Sequence, residues 1–406
     1  MSYHHNHEKQ HSTVILLPLI ALQIGGGAVT GLSIIESILR NLNKIVLEQK
    51  INVDVFIFIM MPKIKGEVLQ ILHDRLIKKP HNIHVHGYVF TTTLDFFAKY
   101  VKILYHICKE LLSYEKVIVC TPVADVENLL PSILFKLLHP KTVLIVLKHG
   151  TAKLILKTYT LKMGFLRKLY TILHATFHLL VDMLHPITLT PIPYLRGHYL
   201  KVPYPFDLKV DPLDKVLHNP KNVILFIGRL DHKVKQWHEA IIAYVRFIRK
   251  YKKVLKEIPL FVICGDGPDR KIVEEISSRH SKLIKYYGFV AGETKDLIID
   301  QSIVVLLPSR FETYPIILHE ALSKLVPVVA YKGFWVQSIP PELINKIVFV
   351  VRNVDEMAEV INKILTTGIH IDSALWKTLD KYIKSAFNRK IFESVLIKLL
   401  QQLLAT

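Results

Sequence analysis

Four times between Asn222 and Leu322 a short, largely apolar run closes on glycine or proline and gives way to a stretch with helical periodicity. The runs are Asn222–Ile227 before Gly228, Pro259–Cys264 before Gly265, Leu283–Tyr287 before Gly288, and Ser302–Leu307 before Pro308. Continuous rather than alternating apolar character suits strands buried on both faces, and the intervening helices are the crossovers that parallel strands require. The pattern therefore predicts a doubly wound α/β domain. It also places the residues after each run at the C-terminal edge of a sheet, where such folds bind ligands.

Two of those edges carry charge. After Ser302–Leu307 come Glu312 and Glu320, with Pro315 between them where a first-turn proline is tolerated. Glu312 is thus expected in a loop and Glu320 about two turns into the following helix; alone, such a pair also fits ordinary helix-surface charge. After Asn222–Ile227 come Gly228, Arg229, Lys233 and Lys235, then an amphipathic helix from about Trp237 to Tyr251. Cations beside a helix N-terminus form an anion cradle, Arg as a rigid fork and Lys as a mobile point charge. A solvated basic turn is the plainer alternative. A third edge, Gly265-Asp266-Gly267-Pro268, has the glycines that let a flat ligand approach backbone.

These residues resemble the retaining glycosyltransferases of family 4, which have the GT-B fold. The resemblance rests on Gly228-Arg229 with Lys235, on Gly265-Asp266-Gly267-Pro268, on Tyr287-Gly288-Phe289-Val290, and on Pro308-Ser309 through Glu312-Thr313-Tyr314-Pro315 to Glu320-Ala321. Val326-Pro327-Val328-Val329-Ala330 follows in the same order. It implies that Arg229 and Lys235 hold a donor's diphosphate, that Glu312 faces the donor sugar, and that Glu320 binds ribose hydroxyls. Gly265, Gly267, Phe289, Val290, Thr313, Tyr314 and Pro315 are implied as further donor-binding positions. Gln236 and Leu325 depart from the family pattern, standing where glycine or another small residue is usual.

At 406 residues the chain is long enough for two domains, each with its own core. The N-terminal half repeats the alternation, with strands expected near residues 13–24, 52–61, 83–86, 116–121 and 142–148. The expectation is therefore a GT-B architecture: two doubly wound Rossmann-like domains facing each other across a cleft, an acceptor domain over residues 1–205 and a nucleotide-sugar domain over 206–406. Leu195 to Asp207, with Pro203 and Pro205, reads as the passage between them, and a terminal helical region over about 376–404 is expected to pack back on the first domain. Gly25-Gly26-Gly27 precedes a helix at about Leu32–Leu42 and offers backbone amides at a helix start. The resemblance places such a loop beside donor phosphate and acceptor, making Gly26 and Gly27 candidates. It likewise places a histidine after the strand 142–148; His149 is the matching residue, read as a contact to the donor sugar that positions or polarises rather than as an obligate base.

Up to Pro205 there are 23 Lys and Arg against 12 Asp and Glu, so this half holds +11 of the chain's +19. Such an excess attracts an anionic partner. From Lys153 to Leu184 apolar residues mix with Lys153, Lys157, Lys162, Arg167 and Lys168, with no acid before Asp182. That segment could lie on an anionic bilayer or form an ordinary solvated helix. Nucleic acid is not expected, because no binding motif or aromatic platform accompanies the charge. No run reaches the 18 or more apolar residues of a membrane span, although half the residues are hydrophobic. Cys108, Cys120 and Cys264 lack metal-ligand spacing and read as buried small residues, consistent with a reducing cytoplasm. The His-rich leader (His4, His5, His7, His11) reads as a tail.

The expected function is transfer of a hexosyl unit from a nucleoside-diphosphate sugar to an acceptor hydroxyl on a glycan or lipid-linked glycan. Retention at the anomeric carbon is inherited from the resemblance. Glu312, His149, Arg229 and Lys235 are the expected catalytic group, with no metal and no cofactor beyond the donor. The expected place is cytoplasmic, peripheral on the inner face of a membrane. Two rivals are a catalytically silent sugar-nucleotide-binding scaffold at the membrane surface and a GT-B sugar-nucleotide epimerase.

Overall fold

The computed structural model describes residues 13–20, 31, 34–42, 45, 53–62, 83–90, 93–111, 114–122, 124–148, 156, 165–193, 195–214, 222–253, 255, 257–310 and 312–405. Gly26, Gly27, His149 and the His-rich leader lie outside these residues. The chain divides into two compact units, Met1–Phe206 together with Asn388–Thr406, and Asp207–Phe387.

The first unit is built on seven parallel strands in the order β3-β2-β1-β4-β5-β6-β7. They are β1 (Thr13–Ile20), β2 (Val53–Pro62), β3 (Ile83–Phe90), β4 (Lys116–Thr121), β5 (Val143–Leu147), β6 (Ile187–Thr190) and β7 (Leu200–Lys201). Side chains alternate faces along β1, and both sets are buried. Val14 and Leu16 pack with Phe96, Tyr100, Ile103 and Ile107 of α1 (Thr93–Leu111). On the same side lie α2 (Val126–Leu138) and α3 (Phe165–Met183), which bring Leu129 and Val181 together over Val146. Ile15 and Leu17 face the other way, into a cluster with Ile34, Ile38 and Leu42 from the helical residues 34–42. Strands covered on both faces must be apolar throughout, which is the pattern seen in the sequence.

The second unit has six parallel strands in the order β10-β9-β8-β11-β12-β13. They are β8 (Val223–Ile227), β9 (Leu260–Cys264), β10 (Ile284–Tyr286), β11 (Ser302–Leu307), β12 (Val328–Tyr331) and β13 (Val348–Val351). The helices are α4 (Trp237–Tyr251), α5 (Arg270–Arg279), α6 (Gly292–Asp300), α7 (Ile316–Ser323), α8 (Val354–Thr367) and α9 (Ser373–Ala386). In both sheets the strand order runs outward in two directions from a central pair, β1/β4 and β8/β11. The crevice beyond that pair is the ligand position of doubly wound folds.

Three strands and one helix boundary differ from the sequence expectation. The short strands β6, β7 and β13 were not anticipated; β13 pairs with β12 at the sheet edge, and β7 falls in the Leu195–Asp207 passage and pairs with β6 through Leu189 and Leu200. The terminal region is two helices with separate loyalties. α9 stays in the second unit, burying Leu379, Tyr382 and Ile383 there. Only α10 (Arg389–Ala405) joins the first unit, where Phe392, Leu396, Leu400 and Leu404, spaced four apart on one helix face, pack against the Ile15 and Leu17 side of the sheet. Burying four such side chains contributes on the order of 6–12 kcal/mol before entropy costs. Among the described residues no helix is long and apolar enough to cross a membrane.

Candidate active site

The loops after β8 and β11 meet. Arg310 donates its backbone N–H to Val234 O at 3.0 Å, and the Lys235 ammonium forms an ion pair with Glu312. The two residues are 77 apart in sequence and both side chains are largely sheltered. Their meeting lies at the β8/β11 switch of the sheet. Arg229, directly after Gly228, pairs with the buried Asp231, and its Nε is buried without a hydrogen-bond partner among the described residues. Asp231 also accepts from Lys233 N at 2.9 Å, and its carbonyl receives the N–H groups of Val234 and Lys235. One acidic residue thus shapes the basic turn and aims its arginine.

Glu320 is the fifth residue of α7, closer to the helix start than the two turns expected, because Pro315 is the N-cap rather than a first-turn residue. Its carboxylate accepts from Lys295 Nζ at 2.6 Å, from the second residue pair of α6. Each glutamate of the pair therefore holds a lysine, Lys235 for Glu312 and Lys295 for Glu320. Arg229 and Glu320 are engaged with Asp231 and Lys295, so the expected foursome is only partly in direct contact. Phe289 is about half exposed and Val290 half-buried at the turn that precedes α6, and Thr313 is half-buried.

Tyr314, among the expected donor-binding positions, turns its side chain inward. It is buried, its ring stacked on His319 at 4.4 Å between centroids. His319 Nδ1 lies 2.9 Å from Pro315 O, a pure acceptor, so Nδ1 carries the proton and Nε2 accepts from the Tyr382 hydroxyl at 2.7 Å. Tyr382 Oη in turn lies 3.3 Å from Tyr314 Oη. This chain ties α7 and the Pro315 turn to α9. Burial drives the His319 pKa down to about 3, against the opposing pull of its hydrogen bond to Pro315 O. The folded protein thus binds fewer protons than the unfolded chain between about pH 6.5 and 3, and stability falls as pH drops through that window at up to about 1.4 kcal/mol per unit. Melting curves from pH 7 to 5 should show this slope, and His319→Gln should flatten it. An unchanged slope in the variant assigns the acid sensitivity to other groups.

The glycines of the β9 edge have a packing role. Gly265 has φ +140, and a Cβ there would lie 1.8 Å from Gly228 O; one on Gly267 would lie 2.5 Å from Leu230 O. Their space is filled by the backbone of the β8 loop, which is bound to theirs through Gly228 N to Cys264 O at 3.0 Å and Leu230 N to Asp266 O at 2.9 Å. The two departures from the family pattern also meet a backbone demand. Gln236 (φ 48) and Leu325 (φ 55) both adopt the left-handed conformation that favours glycine, at a cost of about 1–2 kcal/mol each.

Sequence reading missed Asp231, Lys295 and a further dyad. Asp269, at the start of α5, accepts from His232 N at 2.6 Å, His232 Nδ1 at 2.9 Å and Trp237 Nε1 at 2.9 Å. Burial works against its ionisation, but these bonds outweigh it and hold the carboxyl below its ordinary pKa. The GDGP turn adjoining Asp269 was the available signal. In the first unit, Lys148 immediately precedes His149 and is buried, paired with Asp182 of α3; burial lowers its pKa against that pairing. Among the described residues no three His, Cys, Asp or Glu cluster as metal ligands. Cys120 and Cys264 are buried free thiols, each pushed up to about 12 by burial.

Residues 212–389, nearly the whole second unit, match the family model described as Glycosyl transferases group 1. The second unit is thus similar in sequence to group 1 glycosyltransferase domains. Over the chain's length the fold resembles GT-B glycosyltransferases. Sucrose-phosphate synthase of Thermosynechococcus elongatus aligns with TM-score 0.64 and 14% identity over 97% of this chain and 99% of that one. The Anabaena protein HepE in complex with UDP-glucose aligns with TM-score 0.63 and 14% identity over 96% and 99%. In sequence, an uncharacterized glycosyltransferase of Methanocaldococcus jannaschii is 26% identical over 175 residues, 40% of this chain and 43% of its own length. The 2-deoxystreptamine N-acetyl-D-glucosaminyltransferase of Niallia circulans is 26% identical over 33% of this chain and 32% of its own length. The chain thus spans less than half the length of these curated relatives. Lys235, Glu312, Lys295 and Glu320 all lie within the matched residues.

Proposed function

We propose that the protein is a retaining glycosyltransferase of the family 4 type, moving a hexosyl unit from a nucleoside-diphosphate sugar to an acceptor hydroxyl on a glycan or lipid-linked glycan. The observation that carries this reading is the Lys235–Glu312 ion pair at the β8/β11 switch, inside a domain of matching family. An ammonium has three donors, so Lys235 can hold Glu312 and a phosphate oxygen together. The buried, unpartnered Nε of Arg229 fits a second phosphate contact. In the reaction the bond from the anomeric carbon to the diphosphate breaks, a bond to the acceptor oxygen forms, and the acceptor hydroxyl gives its proton to the departing diphosphate. Negative charge accumulates on the departing diphosphate, and Arg229 and Lys235, already in place, stabilise it without metal. Glu312 binds the sugar and Glu320 the ribose. The first unit is assigned the acceptor, and from the resemblance alone Gly26 and Gly27 are assigned to the donor phosphate and acceptor and His149 to the donor sugar.

A thermal-shift panel of nucleoside diphosphates and their sugars tests this, beginning with UDP-glucose, the ligand of the HepE structure. A donor at 100 times its Kd should stabilise by about 2.7 kcal/mol, a Tm rise of roughly 5–10 °C for a unit of this size. No shift with any nucleotide would overturn the reading. Turnover with acceptor distinguishes transfer from a silent scaffold, and isomerised donor without acceptor would mark an epimerase.

The same proposal includes a peripheral place on the inner, anionic face of a membrane, which the exposed surface of the first unit favours.

A further inference from the structure

Helices α1, α2 and α3 cover one face of the first unit's sheet, so their outward sides form one continuous surface. On an ordinary soluble domain that surface is polar. Here it is not. On α3, Leu169, Ile172, Leu173, Leu180 and Met183 are all exposed, Met183 at 72%. At about 100° per residue they fall within an arc of roughly 100°, opposite the buried Thr171, Ala175 and His178. Phe165 and Thr176 are the other residues on that arc, and no charge interrupts it. On α1, Phe97, Val101 and Tyr105 are each more than half exposed at successive turns. Leu137 and Leu138 continue the surface at the end of α2.

Exposed lysines flank this apolar surface. Lys102 and Lys109 are exposed on α1, Lys141 follows α2, and Lys168 opens α3. Of the acids nearby, Asp95 pairs with Lys99 at 2.9 Å, Asp182 with buried Lys148 and Asp125 with His174 at 3.8 Å, and Glu115 is exposed just before β4.

From this we infer that the outer surface of α1, α2 and α3 docks on an anionic lipid bilayer, lying on it with the α3 stripe in the acyl boundary. Lysines beside an apolar stripe extend their stems along it and set their ammonium groups among lipid phosphates. A second copy is the weaker partner, because two identical cationic rims would face each other and the centres of protein interfaces are depleted of charge. None of these helices is long and apolar enough to span, so the contact is in the plane of the surface. The inference rests on the membrane part of the proposed function and names its surface; it is independent of the donor site.

The test is flotation of the full chain with vesicles of phosphatidylcholine alone or with about one third phosphatidylglycerol. Wild type should float with the anionic vesicles only, and less as salt rises from about 0.01 to 0.5 M. The triple variant I172E/L173E/L180E should lose binding by about tenfold or more, and K102E/K109E should lose most of the anionic preference. All five positions are exposed, so melting temperature and nucleotide-induced shifts should stay at wild-type values. Equal flotation of wild type with both vesicles, or undiminished flotation of the triple variant, overturns the inference. So does a concentration-dependent dimer that the triple variant abolishes, which would give the surface to a second copy. Failure of wild type to bind any nucleotide counts against the transferase reading and leaves this one standing.

Discussion

Alanine at Lys235, and separately at Arg229, should lower kcat by about two to three orders of magnitude while the protein stays folded. The magnitude follows from the role. A cation placed where charge develops stabilises the transition state by about 2–4 kcal/mol when solvent reorganisation is avoided. The structural cost is smaller, because the Lys235 and Arg229 side chains are 28% and 34% exposed, so solvent takes up part of what each ion pair contributes. The two variants are expected to differ in one respect. Losing Lys235 leaves Glu312 without its cation, whereas losing Arg229 leaves Asp231 still accepting from Lys233 N. Steady-state transfer assays with melting curves alongside provide the check. Near-wild-type turnover in both variants would refute the assigned roles, and a collapse of melting temperature in either would make its rate loss a folding effect.

Gly265→Ala should cost about 3 kcal/mol or more, and with it roughly 6–12 °C in the melting temperature of the second unit. Two independent penalties act. A Cβ at this φ of +140 is strained wherever it points, and here it would sit 1.8 Å from Gly228 O, inside the backbone of the neighbouring loop. Neither atom can move alone, since Gly265 N donates to Gly288 O at 2.7 Å and Gly228 N to Cys264 O at 3.0 Å. Because the β8 loop carries Arg229 and Lys235, nucleotide-induced stabilisation should fall along with the melting temperature. An alanine variant that melts like wild type would mean that the loops are farther apart in solution. Gly288→Ala is the useful contrast: its φ is +70 but nothing lies within 4 Å of the added Cβ, so only the conformational part, about 1–2 kcal/mol, should be lost.

Where the sequence was legible, the reason is local. A continuous β-branched run that stops at Gly228, Gly265 or Pro308 carries its own signature, so strands β8, β9 and β11 and the identity of their C-terminal edges could be read without a structure. The amphipathic helix over Trp237–Tyr251 was legible for the same reason, its buried residues recurring at 3.6-residue spacing. The short edge strands β6 and β7 were not, because two to four residues hold no periodicity and exist as strands only by pairing with a formed neighbour. Tyr314 sits within a motif that marks a ligand site, yet faces inward because His319, Tyr382 and Phe387 meet it from α7 and α9. Lys295 and Asp231 carry no motif of their own.

By itself, the sequence determined the fold class, the doubly wound plan of both halves and the edge residues Arg229, Lys235, Glu312 and Glu320, since each follows from which residues are apolar, where glycine and proline interrupt them and what charge comes next. Tertiary structure alone decided which lysine each glutamate holds, that α9 and α10 part company at Phe387, and that α1, α2 and α3 turn an apolar surface outward. Those are contacts between segments tens of residues apart, set by how helices and strands of fixed spacing fill a common core, and no local pattern along the chain encodes them.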